Sequence, residues 1–412
     1  MLLMTVGCSK DKLPSDLTER YEPSTEQIGF QMKWEDDDWQ ATKGALVVDT
    51  NFYNFGVLAY YLPANAGGEQ TTFPSDAIPN FMYNQKVERT KTEDIWNSWT
   101  YSPVKYWSNN SDDRFKFFAY APHSSKSSSS SITLSGNTED DYPTVALIPA
   151  TEARNQIDFM TAQTGLLHKG TKNGEVDLTF AHQLSQVLIA VKHNGTSTDR
   201  VVVEQVQLRE LKAYAGQFED GGFEWNSDAL PDDLVYSMTL DEPTPSPNNS
   251  EIIPENDQIT GKKAIKNTDY QDIHTEAGVF LVHPQTIDVN NFTISITFKH
   301  KKQADLEDKW QEKTVDIKAS DAFTLKKNKA VRLKITLDLG GIKEPYVKFE
   351  VMPWRTVTND ENIHNYPMLN LRTPGWEDGG DNDLTNPAVP DLTLGPWENG
   401  HGDGELDETL GE

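Results

Sequence analysis

A single cysteine in 412 residues leaves no internal disulfide and no thiolate metal cluster. Long apolar runs are missing too: no stretch approaches the ~20 residues that a membrane-spanning helix needs. Basic residues are scarce, with 37 Lys and Arg against 64 Asp and Glu. The resulting net charge of −27 excludes nucleic acid as a partner, because a polyanion repels a polyanion. Catalytic signatures are absent as well. There is no glycine loop ending in Lys-Ser/Thr, no paired-His helix motif for zinc and no Gly-x-Ser-x-Gly elbow. Amphipathic helical periodicity never exceeds about two turns. These absences point to a non-enzymatic chain with no cofactor and no metal.

What is present is β-strand patterning. Val331, Leu333, Ile335, Leu337 and Leu339 alternate with Arg332, Lys334, Thr336 and Asp338. Successive strand side chains face opposite ways, so this pattern predicts one buried face and one wet face. Val176, Leu178 and Phe180 repeat it, as do Phe292, Ile294, Ile296 and Phe298, and again Val347, Phe349 and Val351. Val187 to Val191 is apolar at every position, as in a central strand. Phe52 to Tyr61 and Arg114 to Tyr120 are further strands. The length suits about two domains. Short strands with turn signals between them predict an all-β chain of two Greek-key β-sandwiches in tandem. The division expected is a signal remnant over 1–8, a tether over 9–26, sandwiches over 27–165 and 176–358, and an acidic tail over 359–412. The tail is rich in Gly, Asp and Glu and contains Trp376 and Trp397.

The candidate sites are few. Met1 to Lys10 reads as the end of a lipoprotein signal, in which an apolar run closes on Gly7 and then Cys8. Cys8 is therefore the expected lipidation site, tethering the chain to a membrane without crossing it. His182 is read as a hydrogen-bonded structural histidine. The acidic clusters at Asp36 to Asp38 and Asp378 to Asp383 lack the ligand spacing of a calcium loop and are read as solvated. Trp96, Trp99 and Trp107 are read as core residues. Trp376 and Trp397 have no evident core around them and are the candidate contacts for a partner or ligand.

The order of aromatic motifs then carries a resemblance. Phe52 to Tyr60 is followed by Phe81 to Asn84, Trp99 to Pro103, Lys105 to Trp107 and Phe117 to Pro122. Asp158 to Ala162, Leu178 to Val187, Phe218 to Trp225, Val282 to Gln285 and Val351 to Trp354 complete the succession. Over Gln27 to Trp354 the chain resembles the fimbrillin-like family of Bacteroidales surface proteins. The resemblance implies two transthyretin-like sandwiches in a palmitate-bearing lipoprotein exported through the periplasm to the outer membrane. It implies a type V pilus subunit (stalk, anchor or tip) that joins other subunits head to tail by strand exchange and supports adhesion and biofilm formation. Its outside partner would be a host protein or glycan. Arg20, the one arginine before Trp34, takes the place of the family's protease cleavage point. A different class of function stays open: a surface glycan-binding lipoprotein serving polysaccharide uptake.

Overall fold

A computed structural model describes residues 20–34, 52–65, 68–69, 71–73, 79–92, 95–123, 131–135, 143–219, 221–229, 234–240, 265–273, 279–288, 292–301, 310–318, 322–339 and 346–353. The fold is all-β. Among the described residues the helical turns are two short 3-10 segments, Ala153–Asn155 and Thr171–Gly174. No helix among these residues is long and apolar enough to cross a membrane.

The first sheet has six strands in the order Gly29–Trp34, Glu175–His182, Met160–Gln163, Arg114–Ala121, Asn54–Leu62 and Met82–Glu88. All its pairings are antiparallel except the first, where Gly29–Trp34 runs parallel to Glu175–His182. The central strands are apolar at consecutive positions because both faces are covered. Phe55, Val57, Tyr61, Phe115 and Phe117 enter one core. Leu58, Tyr60, Phe118 and Tyr120 enter another on the opposite face. The first core is closed by Phe52, Phe81 and Trp99 from connecting segments and by Trp107 from the short strand Tyr106–Ser108, so large rings do the work of a broad facing sheet.

The opposite face is covered by a four-stranded sheet in the order Gly222–Ala229, Tyr214–Glu219, Thr144–Ile148 and Ser131–Ser135. Val145, Leu147, Phe218 and Phe223 meet Tyr60 and Phe118 there. The same cluster takes in Leu188, Leu281 and Ala330 from a third sheet. Gly216 is needed within this layer, because a Cβ would sit 2.3 Å from the Phe223 ring.

The third sheet orders Gln271–Asp272, Ser185–His193, Lys329–Leu337 and Tyr346–Pro353, with Phe280–Val282 also paired to Ser185–His193. A fourth orders Leu234–Thr239, Arg200–Leu211, Thr293–Lys301 and Gln311–Lys318. Between these two sheets Ile189, Val191, Val203, Val206, Ile294 and Leu333 belong to one largely aliphatic core. Most of them are β-branched, the shape that packs best on a pleated surface. The edge strand Gln311–Lys318 carries Glu312, Lys313, Asp316 and Lys318, charges that blunt edge-to-edge association.

Two placements differ from local pattern. Glu175–His182, read as opening the second block, lies in the first sheet beside Gly29–Trp34. The alternating face of Lys329–Leu337 is not wet either: Arg332, Lys334 and Thr336 are buried along with the apolar positions. Burial is tolerable because the polar groups have partners. Arg332 Nε donates to Asp272 Oδ1 at 2.7 Å, and Thr336 Oγ1 lies 2.9 Å from the Tyr270 hydroxyl.

Candidate functional site

The N-terminal arm is where chain chemistry and sheet edge meet. It starts at Arg20, an exposed residue whose guanidinium donates to the Ala64 carbonyl. Tyr21 follows and turns its ring inward, edge-on to Tyr61 at 5.2 Å and to Phe81 at 5.4 Å. Its hydroxyl donates to the Tyr106 carbonyl at 2.6 Å. Burial pushes the Tyr21 phenol up to about 12, so it stays a donor through the physiological range. The backbone then forms a ribbon, Pro23–Gln27 against Tyr106–Ser108, inside the segment read as a tether. Ile28 and Phe30 enter the aromatic core. Gly29–Trp34 supplies the outermost strand of the first sheet, paired in register from Gly29 with Glu175 to Trp34 with Phe180. Lys33 Nζ to Asp177 Oδ2 at 2.8 Å and a Gln31 to Glu175 hydrogen bond cross the same pair.

A buried carboxylate anchors the start of this arm. Asp113, 2% exposed, accepts from the Tyr61 hydroxyl at 2.8 Å, from Ser108 Oγ at 2.5 Å and from the Ala64 amide at 2.9 Å. The Tyr61 hydroxyl also lies 3.1 Å from the Arg20 carbonyl oxygen, which shares its proton with the stronger carboxylate acceptor. Burial, reinforced by Asp113, raises the Tyr61 pKa well above the usual phenol range.

The remaining candidates divide by location. Trp107 is fully buried, and its Nε1 donates to the Gly174 carbonyl at 3.1 Å. Trp99 packs on Phe52 and Phe55, with the Arg89 guanidinium 4.6 Å from the ring centre. Trp96 lies in a short strand, Ile95–Trp96. His182 has a partner that spacing did not disclose: its Nδ1 sits 2.9 Å from Asp158 Oδ1, whose side chain is fully buried. The pair ties Glu175–His182 to the segment leading into Met160–Gln163, which is the work of a structural histidine. Cys8, Trp376, Trp397 and the acidic clusters at Asp36 to Asp38 and Asp378 to Asp383 lie outside the described residues. Among the described residues no three His, Cys, Asp or Glu side chains come together as a metal site.

With this geometry in hand, comparison with known proteins defines the class. The fimbrillin-like family model matches residues 47–354, and the chain belongs to that family. Among solved structures, a fimbrial protein from Bacteroides vulgatus aligns with a TM-score of 0.57 at 21% identity, covering 80% of this chain and 99% of its own. A proposed cell adhesion protein from Bacteroides uniformis aligns with a TM-score of 0.40 at 14% identity, covering 81% of this chain and 100% of its own. Another from Bacteroides ovatus aligns with a TM-score of 0.42 at 14% identity, covering 82% and 99%. A search of curated proteins finds no match.

Proposed function

We propose that this fimbrillin-like chain is a non-enzymatic subunit of a surface pilus, joined to its neighbours by strand addition and acting in adhesion and biofilm formation. The observation that carries the reading is the edge position of the N-terminal arm. Gly29–Trp34 is paired to one strand of its sheet, and the arm puts Ile28 and Phe30 into the aromatic core. A cut after Arg20 leaves this strand on the sandwich side, so exchange requires the freed arm to swing out, which uncovers an apolar groove and the unpaired backbone groups of Glu175–His182. A neighbour's strand with apolar residues at alternate positions satisfies both. Addition of this kind is head-to-tail and does not close on itself, so it builds a filament.

In this reading Cys8 carries the lipid that holds the precursor at the outer membrane after export, and cleavage after Arg20 separates the sandwiches from it. Trp376 and Trp397 are the proposed contacts to a host protein or glycan. The test is electron microscopy of surface-sheared material labelled with antibody to the chain. Label along filaments is expected, together with a ladder of oligomers after arginine-specific trimming. A strictly monomeric protein that is retained on a polysaccharide affinity gel overturns the pilus reading in favour of glycan capture.

A further inference from the structure

Resting on the reading of Arg20 as a processing point, we propose that the folded subunit latches the Arg20–Tyr21 bond, and that release of Tyr21 gates its hydrolysis. An endoprotease takes the residues around the scissile bond as an extended strand. It draws the arginine side chain into a specificity pocket and the scissile carbonyl oxygen into an oxyanion hole. Each of those groups is already engaged within the subunit. The Arg20 guanidinium is on the Ala64 carbonyl, and the Arg20 carbonyl oxygen faces the Tyr61 hydroxyl. On the leaving side Tyr21 is wedged against Tyr61 and Phe81, and the Glu22 carbonyl accepts from the Asn109 amide at 2.7 Å.

Asp113 makes this one device. The same carboxylate fixes Tyr61 through its hydroxyl and Ala64 through its amide, so one buried group sets both anchor points of Arg20. The reaction itself is ordinary hydrolysis: water adds across the C–N bond, Arg20 keeps the new carboxylate and Tyr21 the new α-amino group. The latch acts before that step. Cleavage waits on a local opening, and its rate follows the small population of the open arm.

The experiment uses the full chain and an arginine-specific endoprotease, with mass spectrometry of the product that begins at Tyr21. A synthetic peptide spanning Leu17 to Gln27 gives the unlatched rate. The folded chain is expected to be cut about a hundredfold more slowly than the peptide, and Tyr21→Ala to recover at least about tenfold. Tyr61→Phe keeps the ring packing and removes only the hydroxyl, so it is expected to recover part of that. An increase confined to Arg20, with Arg89 and Arg209 still protected, supports the latch. Wild-type cleavage at the peptide rate, no increase in either variant, or an increase spread over all arginines overturns it. The processing reading fails separately, if protein isolated from the cell surface begins elsewhere than at Tyr21.

Discussion

Arg114–Ala121 and Lys329–Leu337 are both central strands and both are buried along almost their whole length. One is apolar or aromatic at most positions and divides its rings between two apolar cores. The other is apolar at every second position, with Arg332, Lys334 and Thr336 between and Ala330 the one apolar residue on that polar face. The second strand still buries both faces, because Asp272 and Tyr270 meet its polar side. Alternation therefore reports the chemistry of a strand's two faces and not their exposure. An ion pair and a hydroxyl contact do on one sheet what phenylalanine rings do on the other.

That contrast can be broken most forcefully on the aromatic side. Phe118 is fully buried against Tyr60, Phe73 and Phe218. Phe118→Ala is expected to cost about 3–5 kcal/mol in urea unfolding, through lost transfer energy and the cavity left behind. The charged face gives a sharper test. Arg332→Ala strands the partly buried Asp272 and is expected to cost about 3 kcal/mol. The double replacement Arg332→Met with Asp272→Leu should return to within about 1 kcal/mol of the parent, since a packed apolar pair substitutes well for a buried ion pair. If the single and double variants unfold together, the face is held by something other than this pair.

A third test lies where the covering sheet meets the third sheet. His283 is fully buried, 4.5 Å from the Trp225 ring centre, and neither ring nitrogen makes a well-formed hydrogen bond among the described residues. Burial lowers its pKa from 6.5 to about 3, with the Tyr214 backbone opposing by less. The unfolded chain therefore takes up a proton that the folded chain refuses. The associated stability is complete above about pH 6.5 and is lost as the pH falls toward 3. Thermal melts across that window should show the loss, and His283→Leu should flatten it. The smallest effect is expected at the arm. Lys33, half exposed, bridges to Asp177, and Lys33→Met should change unfolding free energy by about 0–1 kcal/mol, less in high salt.

The strand segments were legible because burial on one face leaves a period of two and burial on both leaves an unbroken apolar run. Thr293–Lys301 falls where the period places it, and Ser185–His193 where the apolar run does. Trp107 lies in the core as read, and Trp99 packs against it partly buried. The arm read less well. Polar residues and two prolines between Ser9 and Glu26 suggested a tether, yet Tyr21 is an anchor and Pro23 begins a strand. The hint was Tyr21 itself, a large ring in a charged segment, followed by Ile28, Phe30 and Met32 at alternate positions. Asp113 gave no hint at all. A carboxylate in the polar turn Asn109 to Asp113 looks solvated until Tyr61 and Ala64 are brought to it from about fifty residues away.

Sequence by itself determined that the described part of the chain is all-β, which residues lie on which face of most strands, and, through the order of its aromatic motifs, the family. Tertiary structure decided which groups became neighbours: that Glu175–His182 joins the first sheet, that the alternating face of Lys329–Leu337 is covered, and that Arg20 meets Ala64 and Tyr61. The physical reason is range. Side-chain period is a local property of a strand, whereas pairing, ion partners and the coordination of a buried carboxylate depend on groups that only folding brings within about 3 Å of one another.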